Sequence, residues 1–192
     1  MGQLILSMFV TLDGYAAGPD GDIDWFAGVE DTELDAHMAR MMRDAGAFLL
    51  GRATYDMFTG YWPSVDTEDD SPEAEIARFL NRLPKLVVTT RPDSLGWGPA
   101  RALGGDDLPA EVARARRELE GDLVMFGGVR TARPLIDADA FDEYQVVVNP
   151  VVLGAGQRLL GEAQEQRRLR LITARSFPTS GAVALRYATT SS

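Results

Sequence analysis

The sequence predicts an α/β fold whose sheet is parallel at first and mixed at its end. Short, almost wholly apolar segments alternate with amphipathic helical segments over residues 4–138. This alternation is typical of parallel strands that are covered by helices. From residue 143 onward, strand-like segments follow one another without a long helix between them. We find no internal repeat and no linker, and we predict a single domain over residues 1–192.

Each element follows from a local pattern. Apolar runs predict strands over residues 4–10, 47–50, 85–90, 100–105, 122–128, 143–156, 169–177 and 182–190. Apolar residues at helical spacing predict helices over residues 31–46, 53–58, 72–83, 108–119 and 129–138. A long irregular loop, rich in Asp and Gly, is predicted between the first strand and the first helix.

Capping and breaking residues mark the helix ends. Thr32 and Asp35 have the spacing of a capping box at the start of the first helix, and Gly46 is predicted to end it. Pro72 stands where a helix tolerates proline, at its start. Pro134 is expected in the first turn of its helix, where its missing N–H would have had no partner.

Composition excludes several classes of site. The chain has no cysteine and a single histidine, His37, so disulfides, zinc–thiolate sites and multi-histidine metal sites are excluded, and we predict no metal site. The formal net charge of −10 disfavours nucleic acid and anionic membranes as partners. With no signal peptide and no long apolar span in the sequence, we expect a cytoplasmic protein.

Three predicted strands end in residues that suit phosphate binding. One ends at Gly51-Arg52, one at Thr89-Thr90-Arg91, and one at Gly127-Gly128 before a helix. Ligands of α/β sheets bind at the carboxyl ends of the strands. Glycine allows the backbone to approach a phosphate closely, and a helix N-terminus attracts anions. Arginine binds phosphate with two hydrogen bonds. In an acidic protein, this pattern indicates a ligand with several phosphates.

These segments, taken in order, resemble a known family. The residues that carry the resemblance are "LILSMFVTLDGYAAGPDGDIDW", "LLGRATYDMF", "KLVVTTRP", "VMFGGVRTARPLI" and "DEYQVVVNPVVLGAG". They resemble the dihydrofolate reductase-like superfamily, in the branch related to the C-terminal reductase domain of the bifunctional riboflavin-biosynthesis deaminase-reductase. The resemblance implies a three-layer α/β/α fold with a mixed, mostly parallel sheet, and NADPH as the cofactor.

The resemblance also implies which residues bind the cofactor. By position they are Gly51, Arg52, Thr54, Thr89, Thr90, Arg91, Gly127, Gly128, Val129 and Arg130. The first loop is expected to close over the nicotinamide and the substrate. Asp13 in this loop is either a turn residue or a substrate contact, and Trp25 packs either on a substrate ring or on the core. Tyr55 and Trp62 have the same two alternatives, core or substrate contact.

Asp35 is the expected proton donor, because it lies near the position of the catalytic carboxylate of dihydrofolate reductases. The alternative is that Asp35 only completes the helix cap with Thr32.

The chain lacks the histidine and cysteine ligands that the deaminase half would need.

We therefore expect an NADPH-dependent reductase that acts on a small heterocyclic or carbonyl substrate, including a 5-amino-6-(5-phosphoribosylamino)uracil reductase-like activity. The alternatives are a nucleotide-binding protein without turnover, a true dihydrofolate reductase, and a flavin- or deazaflavin-dependent relative. By analogy with the branch we expect a homodimer, whose interface the β-rich end of the chain could supply.

Overall fold

The computed structural model describes residues 2–26, 30–92, 95–161 and 166–190. Within them the strands are β1 (Leu4–Thr11), β2 (Tyr15–Ala17), β3 (Ala45–Gly51), β4 (Lys85–Val88), β5 (Ala100–Leu103), β6 (Asp122–Phe126), β7 (Glu143–Asn149), β8 (Gln157–Arg158), β9 (Leu169–Phe177) and β10 (Ala182–Thr189). The α-helices are α1 (Thr32–Met41), α2 (Arg52–Thr59), α3 (Pro72–Arg82), α4 (Leu108–Arg117) and α5 (Val129–Asp137). Short 3₁₀ turns lie at Asp24–Phe26 and Trp62–Ser64.

Eight of the strands form one sheet in the order β5-β4-β3-β6-β1-β7-β10-β9. The pairings from β5 to β7 are parallel, and β10 then pairs antiparallel with both β7 and β9. The six parallel strands therefore end at the same edge of the sheet. This carboxyl edge is where the predicted phosphate-binding residues come together, as the sequence led us to expect.

Helices cover both faces of the sheet, which gives the predicted three layers. One buried cluster joins the sheet to α4 and α5 through residues such as Val112 and Leu135. The other joins the opposite face to α1, α2 and α3 through residues such as Met38 and Leu80. Side chains alternate along β1, so Leu4 and Leu6 enter the first cluster while Ile5 enters the second. No helix within the described residues is long and apolar enough to cross a membrane.

The start of α1 differs from the prediction. Its N-cap is Asp31, not Thr32, and one carboxylate oxygen of Asp31 accepts the N–H groups of Glu33 and Leu34. The other oxygen accepts the N–H of Ser180, from a turn that is distant in sequence. The capping box of Thr32 and Asp35 was therefore wrong, and Asp35 has no capping role.

The end of this helix was also placed too late. The helix ends at Met41, and the predicted terminator Gly46 belongs to β3. A β-carbon on Gly46 would lie 1.8 Å from the carbonyl oxygen of Glu120, so glycine serves the close approach of two chain segments there.

Two further predictions need correction. The loop over residues 11–25 contains β2, which pairs antiparallel with β8 to form a two-stranded ribbon. Strands this short leave no periodic signal in a sequence. Pro134 lies in the second turn of α5 rather than the first, so the carbonyl of Arg130 lacks its usual helical partner. Pro134 and Arg130 are both exposed, which leaves this carbonyl accessible to water.

Lys85, at the start of β4, is the only lysine of the chain and is fully buried. Its Nζ lies 4.4 Å from the centre of the Trp97 ring and donates a hydrogen bond of 2.9 Å to the carbonyl oxygen of Leu83. Burial lowers the pKa of Lys85 from 10.5 to about 8. The folded state therefore holds this proton less tightly than the unfolded state does.

This difference predicts a pH-dependent stability. Between about pH 8 and pH 10.5 the unfolded chain binds more protons at Lys85, so the free energy of unfolding should rise with pH. We expect a rise of about 1.5 kcal/mol from pH 8 to pH 9.5, relative to a Lys85→Met variant. Urea unfolding of both proteins across this range measures the difference, and parallel pH profiles would contradict it.

Candidate functional site

Two helices begin side by side at the carboxyl edge of the sheet. α2 starts directly after Gly51 and α5 directly after Gly128, and neither N-cap residue forms a side-chain capping hydrogen bond. Because β3 and β6 are neighbours, the two N-termini meet: a β-carbon on Gly128 would lie 3.8 Å from the Cα of Gly51. Their partial positive charges and free N–H groups converge, which favours an anion at this point.

Glycine is required at this meeting point for two reasons. Gly127 and Gly128 have φ angles of 60° and 75°, in the left-handed region that other residues adopt only with strain. Space is also limited, since a β-carbon on Gly127 would lie 2.7 Å from the Oγ1 of Thr54, and one on Gly51 would lie 2.6 Å from the Oγ1 of Thr131. The three glycines thus bring two threonine hydroxyls to the start of both helices.

The segment after β4 contacts the glycines and threonines at the starts of α2 and α5 through Arg52. The guanidinium of Arg52 donates to the carbonyl oxygen of Arg91 over 3.3 Å and forms an ion pair with Asp56 at 2.8 Å. The N–H of Arg91 donates to the Oγ1 of Thr89 over 3.0 Å, while Thr90 is exposed beside it. All three predicted strand ends are therefore connected. We call the residues Gly51, Arg52, Thr54, Thr89, Thr90, Arg91, Gly127, Gly128 and Thr131 the clamp.

Two predicted cofactor residues lie differently. The side chain of Val129 is buried in the core between α5 and the sheet, so only its backbone faces the clamp. The side chain of Arg130 is exposed and lines a cleft on the outer face of α5 together with Arg133 and Arg158. The backbone N–H groups of Val129 and Arg130 remain at the start of the helix, where they have no intrahelical partner.

An acidic group lies at the same edge, on the face of the sheet that α1, α2 and α3 cover. Asp35 is in the first part of α1 and Glu73 in the first turn of α3, and both helices start at the carboxyl edge. Burial raises the pKa of Asp35, and the negative charges of Glu73 and Asp31 raise it further. The hydroxyl of Tyr61 donates to the carboxylate of Glu73, which also raises the pKa of Tyr61. Asp35 is thus disposed to hold a proton.

Asp13 holds the first loop in place. Its carboxylate accepts hydrogen bonds from the Thr11 hydroxyl at 2.6 Å, the Leu153 N–H at 3.1 Å and the Gly154 N–H at 2.8 Å. The Thr11 hydroxyl bond is the main reason that the pKa of Asp13 falls to about 2. These contacts join the loop after β1 to the loop after β7. A contact of Asp13 with a substrate stays a prediction.

The aromatic residues divide between core and rim. Tyr55 is 1% exposed, and its hydroxyl accepts the N–H of Trp97 over 2.7 Å, so its side chain belongs to the core and offers no ring face to a ligand. Trp62 is half-buried and packs edge-on against Phe58. Trp25 is half-buried against Phe26, and its Nε1 is buried with no hydrogen-bond partner among the described residues.

Sequence reasoning missed several residues of this edge. Thr131 follows the Gly-Gly pair by three positions and packs against Gly51. Asn149 ends β7 opposite Thr11, is 3% exposed, and donates to the carbonyl of Val10. Its Oδ1 has no partner within the described part of the chain. The signal for Asn149 was present, since a polar residue followed by proline ends an otherwise apolar strand.

The arrangement separates two kinds of chemistry along one edge. The clamp offers two helix N-termini, threonine hydroxyls and arginines, which suit a phosphorylated nucleotide. The other end offers a carboxyl group with a raised pKa and a half-buried tryptophan.

The chain is similar to known proteins over most of its length. The family model of the RibD C-terminal domain matches residues 3–183. Two proteins of Bacillus subtilis (strain 168), both described as uncharacterized, are similar over almost their whole length. YwjB is 29% identical over 185 residues, which cover 96% of this chain and 97% of YwjB. YyaP is 25% identical over 185 residues, which cover 96% of this chain and 94% of YyaP.

Solved structures share the fold. A candidate riboflavin biosynthesis protein of Shewanella sp. PV-4 has a TM-score of 0.71 at 21% identity, covering 98% of this chain and 99% of that one. The Thermotoga maritima diaminohydroxyphosphoribosylaminopyrimidine deaminase/5-amino-6-(5-phosphoribosylamino)uracil reductase has a TM-score of 0.68 at 14% identity. The alignment covers 98% of this chain but only 57% of that longer one.

Dihydrofolate reductase of Enterococcus faecalis, solved with NADP(H), has a TM-score of 0.61 at 15% identity, covering 99% of this chain and 98% of that one. At these identities the likeness is one of fold, and it confirms the dihydrofolate reductase-like architecture that the sequence predicted.

Proposed function

Because the chain belongs to the family of the RibD C-terminal domain, we propose that it is an NADPH-dependent reductase of a small heterocyclic or carbonyl compound. The observation that carries this proposal is the meeting of two uncapped helix N-termini at Gly51 and Gly128. The chain has a net charge of −10, which on the whole disfavours anions. A cluster of anion-binding groups at one point therefore supports a binding site for an anion there.

The clamp fits NADPH by its donor set. The pyrophosphate would lie against Gly51, Gly127 and Gly128, near the hydroxyls of Thr54 and Thr131. Thr89, Thr90 and Arg91, with Arg52 beside them, would surround the adenosine 2′-phosphate, the group that distinguishes NADPH from NADH. The two arginines support this preference, since guanidinium groups bind phosphate with two hydrogen bonds. The E. faecalis reductase of the same fold was solved with NADP(H).

The remaining edge would receive the substrate. Bound NADPH supplies the hydride, and a reduced C=N or C=O bond also needs a proton at its heteroatom. Asp35 is the proposed proton carrier, because its carboxyl has a raised pKa and no capping role. Trp25 and Trp62 would border the substrate, and Asp13 would hold the first loop above it.

Two candidate functions follow from these features. The T. maritima protein carries a 5-amino-6-(5-phosphoribosylamino)uracil reductase activity in its name, so a related aminopyrimidine is the first substrate class to test. Binding of the nucleotide without turnover is the second candidate function, and it would follow if Asp35 carried no proton to a substrate. Deaminase chemistry is not proposed, because the chain has one histidine and no cysteine.

We also propose that two copies of the chain associate through β9. This nine-residue strand forms one edge of the sheet, and eight of its residues are exposed. Leu169, Leu171 and Ile172 are among the exposed large apolar residues. β9 pairs with β10 on its inner side, and the outer edge of an exposed, partly apolar strand of this length is a template for another strand, so a second copy can pair with it symmetrically.

Nucleotide titration tests the proposed cofactor. We expect NADPH to bind more tightly than NADH, measured by nucleotide fluorescence. Arg91→Gln should weaken NADPH binding about tenfold, or about 1.4 kcal/mol, because it removes a 2′-phosphate contact, and should leave NADH binding almost unchanged. Arg117→Gln, an exposed substitution on α4 with the same charge change, is the matched control. If neither nucleotide binds to the wild-type protein, the proposal fails.

Replacement of Asp35 tests the proton carrier. With a substrate found by screening aminopyrimidines and carbonyl compounds, Asp35→Asn should lower kcat about 100-fold and remove its ionisation from the pH profile. NADPH binding should persist. Glu33→Gln in the same helical turn is the control and should keep both kcat and the profile. An unchanged kcat in Asp35→Asn would assign the proton to another donor.

The subunit proposal predicts a concentration-dependent dimer. Leu171→Arg should give a monomer by light scattering, because it replaces an exposed apolar side chain of the edge strand by a charged one, which disfavours pairing with another strand. Arg114→Ala, on the exposed side of α4, is the control. A wild-type protein that is monomeric at 100 μM, well above an assumed Kd of about 1 μM, would contradict the proposal.

A further inference from the structure

A second cleft lies outside the clamp, between the outer face of α5 and the β2–β8 ribbon. Its volume is about 740 Å³, within the size range of small-molecule sites. The lining residues that matter here are Tyr15, Arg130, Arg133, Asp137, Gln157 and Arg158. We call this the basic cleft.

The described residues that line the basic cleft carry a net positive charge in an acidic protein. Three guanidinium groups line it, those of Arg130, Arg133 and Arg158, against one carboxylate, that of Asp137. Among the described residues, none of these three arginines has a carboxylate within ion-pair distance. Eight other arginines form ion pairs within the described residues, whereas these three lie together around one cleft.

Two of the three arginines are held in place by neutral groups. The guanidinium of Arg158 stacks 4.5 Å from the centre of the Tyr15 ring and donates to the carbonyl oxygen of Asp13 over 2.9 Å. Arg133 donates to the carbonyl oxygen of Arg158 over 3.1 Å. Carbonyl groups and an aromatic ring orient a guanidinium without neutralising it, so both side chains keep their charge and their remaining donors.

The basic cleft and the clamp use different sides of α5. Thr131 faces Gly51 and the clamp, whereas Arg133 is two residues further on, roughly 200° around the helix. Val129 and Arg130, in the first turn, adjoin both. A ligand in the basic cleft would therefore lie next to the clamp without filling it, and it would bridge α5 to the ribbon.

We propose that the basic cleft binds the phosphate group of a small phosphorylated metabolite. A phosphate monoester carries nearly two negative charges and three acceptor oxygens at neutral pH, which match guanidinium groups that converge from two elements. The amide of Gln157 adds a neutral hydrogen-bonding group for the rest of the molecule. The proposed site is additional to the NADPH site and does not depend on it.

Calorimetric titration with glucose 6-phosphate tests the site, with glucose as the uncharged probe and NADPH present in excess to occupy the clamp. We expect glucose 6-phosphate to bind in the millimolar range or tighter, and glucose not to bind. Arg133→Gln should weaken binding at least about tenfold, and Arg117→Gln should not. In NMR spectra, the side-chain Nε–H signals of Arg133 and Arg158 should shift on addition of glucose 6-phosphate, which requires no variant.

Several outcomes would overturn the proposal. They are absence of glucose 6-phosphate binding, equal binding by the wild-type and Arg133→Gln proteins, and tighter binding of a dicarboxylate such as malate. Loss of glucose 6-phosphate binding in Arg52→Gln but not in Arg133→Gln would assign the phosphate to the clamp instead. Failure of the nucleotide site is a separate result, visible as absence of NADPH binding in the wild-type protein.

Discussion

The close contact between the starts of α2 and α5 is the constraint on which the rest of the carboxyl edge depends. Two neighbouring strands bring two helices to one point, where a side chain on Gly51 or Gly127 would collide with a threonine, and Gly128 has a φ angle of 75° that favours glycine. The contact places two positive helix ends together, a repulsion that is relieved when an anion lies between them. The site is therefore costly to build without a ligand, which supports a functional rather than a structural origin.

The chain has fewer basic than acidic residues, and several of the basic ones lie at the clamp and at the basic cleft. The chain has 29 acidic residues against 19 basic ones, and every basic residue except Lys85 is arginine. Arginine keeps its charge when partly buried and forms planar, directional hydrogen bonds, which lysine does not. The clamp and the basic cleft both rely on this property: Arg52 spans two strand ends, and Arg158 is oriented by Tyr15. An acidic protein thus concentrates guanidinium groups at two adjoining places.

The sequence was sufficient for the parts of the structure that are encoded locally. Apolar runs located the strands of the main sheet, and the glycines and arginines at their ends located the clamp, because each signal lies within a few consecutive residues. Contacts between distant segments were not accessible in this way. The cap of α1 depends on Ser180, which is 149 positions from Asp31, and the basic cleft depends on Arg133 and Arg158 from different elements. The assignments of Asp35, Trp25 and the clamp residues to particular ligand groups stay predictions.

The burial of Lys85 has a consequence for the chemistry of the intact protein. Because it is the only lysine and is fully buried, the folded chain presents no side-chain amine to its surroundings. Acylating reagents, reducing sugars and enzymes that attach groups to lysine would find only the amino terminus. Lys85 becomes reactive when the fold opens around β4. The rate of its acylation therefore reports how often the native state opens there.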